Sequence, residues 1–402
     1  MVISIREARE RFAVNTAFSE APRMETIGIL GDGQLGRLLS LAAGKRGYDT
    51  IILGPTPDSP AGLISKEQIV AAYDERKALD ALAGKCKRIT YEFENVPAGS
   101  VRYLEDRGAH VFPSSNILEM AQDRVREKAA LEEHGIPVTK FAKVDNHMEL
   151  QKALKEIGCP SVLKTTRDGY DGHGQIVIRN PDAAGNDFEL HRNKKENNGK
   201  TFILEKMVDF QMEISVIVAR NENGQTCTFP VAENEHRDNI LHMTIVPARI
   251  SPEAAQRAQE MAVRFAEEVR LVGLLCIEMF YTKDGKILGN EIAPRTHNSG
   301  HWSIHGSEVS QFDQQFRALL NERLEPVRYK PSAMINILGE GNGNFLSGQI
   351  KVRKMEGIGL CMYGKAEAKK GRKMGHVTAS AGTIEEAIER AKIARNELRW
   401  ER

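Results

Sequence analysis

Glu278 and Glu291 are the residues whose placement most constrains the chemistry of this chain. Each sits in an apolar run: Leu274-Leu275-Cys276-Ile277-Glu278-Met279-Phe280-Tyr281, and Lys286-Ile287-Leu288-Gly289-Asn290-Glu291-Ile292-Ala293. Thr282-Lys283-Asp284-Gly285 lies between them, and Asp-Gly is a strong two-residue hairpin signal. With Asp284 and Gly285 as the turn, Lys283 pairs with Lys286. Counting back one residue per strand then puts Glu278 directly opposite Glu291. Like charges in that position repel. Burying both is costly unless a cation bridges them or one is protonated. Hard oxygen ligands suit Mg²⁺, which is usually held by one or two carboxylates plus substrate phosphates. The alternative is that one or both point to solvent beside Lys283 or Lys286.

Three other stretches carry chemistry-bearing residues. Lys164 ends an apolar strand, 161–164, ahead of Thr165-Thr166-Arg167-Asp168-Gly169-Tyr170-Asp171-Gly172-His173-Gly174, after which a strand resumes at 175–178. A hairpin loop with Gly169, Gly172 and Gly174 can lay backbone N–H groups against phosphate oxygens, and Lys164 supplies a point charge for the same phosphates. The alternative is a surface loop beside a strand-end lysine. Gly31-Asp32-Gly33-Gln34-Leu35-Gly36 follows the strand 27–30 and opens a helix, a GxGxxG match. A dinucleotide site wants an acid at the end of the next strand, but that strand ends Leu53-Gly54-Pro55. The loop therefore binds some other phosphate at its helix N-terminus or is simply a tight turn. Glu92 and Glu94, in Tyr91-Glu92-Phe93-Glu94-Asn95-Val96-Pro97, lie at the carboxyl end of a strand, where open α/β sheets bind ligands; the other reading is helix-start acids before Ala98. Pro294-Arg295-Thr296-His297-Asn298-Ser299-Gly300-His301-Trp302 is dense in polar groups. His297, His301 and His305 recur every four residues, but Pro294, Gly300 and Gly306 mark a loop and not a helical metal site. Arg295 lies four residues after Glu291, where its planar fork can hold an oxyanion or pair with an acid such as Glu308.

The elements that position these residues alternate between the two hydrophobic periods. A helix is expected over 122–134 with Val125, Ala129 and Leu131 inward. Strands are expected at 201–204, 213–218, 226–231 and 240–249, with 187–200 a flexible polar loop. A long amphipathic helix, 252–271, delivers the chain to the glutamate hairpin, and another follows at 309–320. Residues 321–331 read as a linker. A last module, 332–402, has strands near 333–338 and 358–363, a basic turn over 365–376 and a helix at 383–398. The first 23 residues mix arginines and acids without apolar periodicity. They fit neither a transit peptide nor a secretory signal, and read as an extra helix or an extension ahead of a start at Met24.

With 402 residues there is room for two or three cores. A net charge of +1 gives no basic excess to suggest nucleic acid as a partner, and no apolar run is long enough to span a membrane. Five scattered cysteines without a CxxC point to free thiols in a reducing cytoplasm.

The order of a strand lysine, a glycine-rich hairpin, an acid-bearing strand and two glutamates on antiparallel strands resembles the ATP-grasp superfamily. The Gly31–Arg37 loop, Tyr91–Pro97, Asp168–Gln175, Pro294–Trp302 and Gly371-Arg372-Lys373-Met374-Gly375-His376 together resemble the N5-carboxyaminoimidazole ribonucleotide synthase family of purine biosynthesis, over roughly 24–400. The resemblance implies an α/β chain, α+β in its centre. Its parts would be a Rossmann-like domain over 24–122, an ATP-grasp domain with a mobile lid over 123–324, and a small C-terminal domain over 325–402. It implies a cytoplasmic homodimer that uses ATP, bicarbonate and 5-aminoimidazole ribonucleotide. Arg124 and Lys164 would touch the ATP phosphates, together with Gly169, Gly172 and Gly174. Glu205 and Lys206 would meet the adenine, and Glu213 the ribose. Glu278 and Glu291 would hold Mg²⁺, or Mn²⁺ in its place. Tyr170, Asp171, Arg295, His297 and Lys365 would surround bicarbonate and the substrate amine, with Asp171 or His297 taking the amine's proton. Gln34, Asn298, Lys365 and Arg372 would hold the ribonucleotide.

His173 stands where the family loop has arginine, and Ala293 where many ATP-grasp enzymes place an asparagine metal ligand. Metal coordination then rests on the two glutamates, with a part for Asn298 left open. Fungal relatives carry an appended mutase domain, and this chain reads as monofunctional. The neighbouring alternative is another ATP-grasp ligase on a ribonucleotide, such as a formate-dependent glycinamide ribonucleotide transformylase. More distant ones are an NAD-dependent oxidoreductase built on the first domain and a non-catalytic nucleotide-binding regulator.

Overall fold

A computed structural model describes residues 25–167, 169, 174–197, 199–341 and 343–401. The segment 1–23, and Tyr170, Asp171, Gly172 and His173 of the glycine-rich loop, lie outside the described residues.

The N-terminal sheet is parallel and five-stranded, in the order Glu67–Val70, Thr50–Gly54, Ile27–Leu30, Arg88–Tyr91, His110–Val111. Ile27–Leu30 and Thr50–Gly54 are buried at every position, as parallel strands covered on both faces require. The helix Gln34–Lys45 packs one face through Leu35, Leu38, Leu39, Ala42 and Ala43. Leu79, Leu82, Val101 and Leu104, from the helices Arg76–Lys85 and Ala98–Asp106, fill the other.

A four-stranded antiparallel sheet follows, ordered Phe141–Val144, Phe202–Lys206, Ser161–Thr165, Gln175–Ile178. Lys164 pairs with Gln175 across the glycine-rich loop. The segment 187–200 is not the flexible loop its polarity suggested. It supplies most of the helix Ala184–Arg192 and the turn Lys195–Asn197. Phe188 and His191 alone face inward from its second half, with Phe188 edge-on to Phe202 at 5.5 Å.

The third sheet has nine strands, ordered Ile287–Ala293, Gly273–Thr282, Phe210–Arg220, Ala232–Arg237, Ile240–Val246, Ser332–Leu338, Lys373–Ser380, Ile358–Met362, with Thr226–Thr228 beside Phe210–Arg220. The C-terminal strands thus continue the central sheet, with Met243 opposite Ile335 and Ile245 opposite Ala333. The expected basic turn over 365–376 is corrected here. Its last four residues open the strand Lys373–Ser380, buried from Met374 to Ala379 and paired on both sides. The helix Pro252–Glu268, capped by Ser251, buries Ala254, Ala258, Ala262, Phe265 and Ala266 beneath the sheet. Among the described residues no helix is long and apolar enough to cross a membrane.

Candidate active site

Glu278 does stand opposite Glu291, but by a different route from the one the sequence suggested. The turn is one residue longer: Tyr281 pairs with Ile287, and the Thr282 N–H donates to the Lys286 carbonyl at 2.9 Å. A bulge at Asn290 then restores the frame, because Met279 pairs with Gly289 while Glu278 pairs with Glu291. Lys283 and Lys286 do not face each other as a pair; they bond Asp209 and Asp284. The row continues across the sheet, with Ser215 opposite Glu278 and Asn234 opposite both Glu213 and Thr244. Directly paired residues share a face, as do residues two apart on one strand. Glu291, Glu278, Ser215, Glu213, Asn234 and Thr244 therefore line one wall of a cleft.

Arg124 Nη1 donates to Glu291 Oε2 at 2.9 Å, and Arg124 Nη2 to the Gly169 carbonyl at 3.3 Å. Burial raises the Glu291 pKa, but the guanidinium outweighs it and holds Glu291 below its ordinary value. Among the described residues Glu278 has no such partner. Burial first, then the charge of Glu291, pushes it up to about 8. Opposite stands a cationic group. Lys164 Nζ lies 2.9 Å and Lys128 Nζ 3.6 Å from Glu205 Oε2. Burial opposes ionisation of Glu205, yet the two ammoniums bring it down to about 2. Its second oxygen, Oε1, is buried and unpartnered. The helix Arg124–Glu133 buries Glu127, Lys128 and Leu131, while Ala129 is exposed and Val125 only partly covered. The expected apolar stripe is thus replaced by two ionisable side chains, because this helix faces the cleft. Lys128 Nζ donates to the bulged Asn290 carbonyl at 2.9 Å, and Glu127 accepts from the Ile292 N–H.

Arg295 is ion-paired, through Nε, with Glu94, while Glu308 lies 3.7 Å from Arg328. The acid facing Arg295 thus comes from the N-terminal domain, 201 residues away in sequence. Burial raises the Glu94 pKa, but Arg295 reverses this and holds it at about 2. His297 Nε2 lies 3.4 Å from Glu278 Oε1. Burial, then the charge of Arg295, lowers its pKa to about 3. Glu213 bonds His236 Nδ1 at 2.6 Å. Lys206 is committed elsewhere: its ammonium to the Cys159 carbonyl, its N–H to Lys140 and its carbonyl to Thr139.

The Gly31–Gly36 loop is filled from within. Glu92 accepts from the N–H groups of Gly33 and Gly36, at 2.5 Å each. Gly31 has φ +129°, and a Cβ there would sit 2.0 Å from Glu92 Cγ. The N–H groups that grip a pyrophosphate in a dinucleotide fold already hold a carboxylate, which removes the oxidoreductase alternative. Near this loop, burial pushes Lys365 down to about 8, with the charges of Arg372, Glu92 and Lys373 close by. Gln34 is half-buried at the start of its helix and Arg372 is exposed. Both polar side-chain atoms of Asn298 are buried without a partner. Tyr170, Asp171 and Gly172 fall outside the described residues.

Sequence reading missed Glu127, Lys128 and His236. The first two were hidden in a helix judged by its apolar residues. His236 lies on Ala232–Arg237, a strand too polar to stand out.

The donor set fits Mg²⁺. Two carboxylate side chains repel across the row, and among the described residues no three His, Cys, Asp or Glu side chains are grouped to complete a protein cage. Such an ion would take its remaining ligands from outside the chain.

Comparison with known proteins gives the family. Residues 24–122 match the ribonucleotide synthetase preATP-grasp domain, 129–312 the ATP-grasp domain, and 332–390 the phosphoribosylaminoimidazole carboxylase C-terminal domain. The N5-carboxyaminoimidazole ribonucleotide synthase of Bacillus subtilis is 41% identical over 358 residues, covering 88% of this chain and 90% of the relative. A crystal structure of an N5-carboxyaminoimidazole ribonucleotide synthetase in complex with ADP superposes with a TM-score of 0.85 at 46% identity, covering 92% of this chain and 96% of that one. The Aspergillus clavatus enzyme, solved with ADP and 5-aminoimidazole ribonucleotide, gives 0.84 at 29% identity, covering 93% and 98%. With the three-part α/β architecture and the glutamate row in place, the chain belongs to the N5-carboxyaminoimidazole ribonucleotide synthase family of ATP-grasp ligases.

Proposed function

We propose that this cleft joins bicarbonate to the amine of 5-aminoimidazole ribonucleotide at the expense of ATP, releasing ADP, phosphate and N5-carboxyaminoimidazole ribonucleotide. The observation that carries the reading is the Glu278–Glu291 pair facing Arg124, Lys164 and Lys128 across one cleft.

Bicarbonate is a poor electrophile until phosphorylated. Its oxygen attacks the γ-phosphorus, ADP leaves, and carboxyphosphate forms. The amine then attacks the carbonyl carbon, phosphate leaves, and the amine gives up a proton. Phosphoryl transfer needs positioning and charge neutralisation more than covalent help. Lys164 and Arg124 serve the phosphates, and Gly169, Gly172 and Gly174 cover them and exclude water from the labile acyl phosphate. Glu205 offers its free Oε1 at the base end; with the Lys206 ammonium and N–H committed elsewhere and its carbonyl accepting from Thr139, that residue has only the second lone pair of its carbonyl to offer. Glu213, steadied by His236, takes the ribose hydroxyls. Glu278 and Glu291 are the residues that would hold Mg²⁺, or Mn²⁺, and the ion would supply charge neutralisation at the transferring phosphoryl group. Arg295, fixed by Glu94, turns its remaining N–H groups to bicarbonate. Gln34, Asn298, Lys365 and Arg372 hold the ribonucleotide, with Tyr170 and Asp171 at its amine. The domain divisions at 122/123 and 324/325, a homodimer and a cytoplasmic setting complete the proposal.

The test is phosphate release from ATP and Mg²⁺ with bicarbonate, with and without the aminoimidazole ribonucleotide. Stimulation by bicarbonate and full coupling in the presence of the ribonucleotide are expected. Stimulation by formate and glycinamide ribonucleotide instead would overturn the assignment.

A further inference from the structure

Behind His297 runs a buried line of hydrogen bonds that the reaction described so far does not use. Thr244 Oγ1 donates to Asn234 Oδ1 at 3.0 Å, and Asn234 Nδ2 donates to Ser215 Oγ at 2.9 Å. Ser215 Oγ donates to Ser299 Oγ at 2.9 Å, and Ser299 Oγ lies 2.8 Å from His297 Nδ1. Thr244, Asn234, Ser215 and Ser299 are all at most 5% exposed. Each hydroxyl has one proton to give. With the Ser215 proton on Ser299, the Ser299 proton is left for His297 Nδ1. A second donor points at the same atom: the Ser299 backbone N–H, which cannot reverse, reaches Nδ1 at 3.3 Å. With the hydroxyls running in this direction, both donors make Nδ1 an acceptor. The backbone of His297 is clamped as well. Gln311, fully buried, accepts from the His297 N–H at 2.8 Å and donates to its carbonyl at 2.7 Å.

A neutral imidazole that accepts at Nδ1 carries its proton on Nε2. Nε2 is the atom that faces Glu278 Oε1, at 3.4 Å. We propose that Ser299, backed by Ser215, Asn234 and Thr244, locks His297 as the Nε2–H tautomer, so that His297 serves the carboxylation as a hydrogen-bond donor and does not take the amine's proton. Ser215, Asn234 and Thr244 are positioning residues acting through Ser299. Ser215 holds this place because it stands directly opposite Glu278 on the neighbouring strand, and Asn234 pairs with Thr244 in the same way. Of the two groups the sequence offered for the amine's proton, this removes one. The inference rests on the carboxylase reading for its catalytic consequence but not for the tautomer itself.

Two measurements test it. Imidazole ¹⁵N spectra of histidine-labelled protein, with His297 assigned by its loss in His297→Gln, should show an unprotonated Nδ1 and a protonated Nε2. In Asn234→Asp, which replaces the donor at the head of the line by an acceptor, part of that signal should move toward the Nδ1–H form. A wild-type ring protonated on Nδ1 would overturn the lock, and an unchanged Asn234→Asp spectrum would remove Asn234 and Thr244 from it. The second measurement is kinetic. A glutamine amide can donate near the Nε2 position but cannot serve as a base. His297→Ala should lose about a hundredfold in kcat, and His297→Gln should recover at least about tenfold of that. Equal losses in the two variants would make His297 the base and sink the proposal. Wild-type protein without bicarbonate-dependent phosphate release would fail the carboxylase reading alone, since the spectra do not depend on turnover.

Discussion

Glu92, just past the end of a parallel strand, and Glu278, inside an antiparallel one, are both buried or half-buried carboxylates, and they meet opposite fates. Glu92 is satisfied from within, by the N–H groups of Gly33 and Gly36 at the start of a helix. Glu278 faces Glu291, with the His297 imidazole 3.4 Å away. The first arrangement closes a loop that a sequence motif offered as a ligand site. The second leaves a carboxyl group to which the protein gives no counter-charge. A glycine-rich fingerprint states only that backbone N–H groups converge; what they converge on decides between structure and function. The carboxylate left without a counter-charge is the one that marks chemistry.

The sharpest way to break this contrast is to remove each charge. Glu278→Gln and Glu291→Gln should each lower bicarbonate-dependent phosphate release by about a thousandfold, if a carboxylate-held ion supplies several kcal/mol at the transferring phosphoryl. Their melting temperatures should diverge. Above pH 8, where Glu278 is ionised, Glu278→Gln relieves repulsion and raises the apo-protein's Tm, whereas Glu291→Gln strands Arg124 and does not. Near-normal turnover in both variants would refute the metal assignment. Glu92→Gln should behave in the reverse way, with stability falling by about 3 kcal/mol, since two hydrogen bonds to a carboxylate are replaced by one acceptor and a misplaced NH₂. Denaturant melts should show the same loss with and without Mg²⁺-ADP. A loss that disappears on adding nucleotide would place Glu92 in the ligand site.

Lys164→Ala should weaken ATP binding by about 2 kcal/mol, the worth of a charge-assisted contact. Unchanged affinity in calorimetric titration would leave Lys164 as a partner of Glu205 only. A smaller effect follows from pH. Glu278 and Glu127 have folded-state values of about 8, raised by burial and then by Glu291. The folded protein therefore holds protons that the unfolded chain has already released. Stability of the apo-protein should fall as pH rises from the ordinary carboxylate range toward 8. Thermal melts at pH 6 and 8 should show this, and Glu278→Gln should flatten the slope. An apo-protein that gains stability over this interval would contradict the unneutralised pair. The smallest effect is expected from a chain that starts at Met24. It should keep full activity, because the family match begins at residue 24 and the first strand at Ile27. Loss of turnover would make the first 23 residues integral.

The sequence exposed the glutamate pair through two departures from ideality that cancel. A turn one residue longer than Asp-Gly implies would have paired Glu278 with Asn290, and the bulge at Asn290 returned it to Glu291. Strands with apolar alternation or continuous apolar runs were readable, as were the helices capped by Asp123, Ser251 and Thr383. What escaped were elements whose inward residues are polar because they face the cleft, such as Glu127 and Lys128, or because partners elsewhere cover them, such as His376 on Lys373–Ser380. The Arg295–Glu94 and Glu92–Gly36 contacts join segments 201 and 56 residues apart, and no local pattern records such pairings.

The continuity of the nine-stranded sheet has a mechanical consequence. The carboxylate row and the C-terminal strands share one hydrogen-bonded plate through Ile240–Val246 and Ser332–Leu338, so they travel as a unit. Lys164 sits on a separate four-stranded plate. Val138, between the helix Arg124–Glu133 and the strand Phe141–Val144, makes an isolated bridge to Gly289 of the carboxylate plate, while Arg124 reaches across to Glu291. The two sheets share no ladder, so the gap is spanned by that bridge and by side chains of the helix Arg124–Glu133. A phosphate that draws Arg124 from Glu291 would therefore act on one of the contacts that join the two plates.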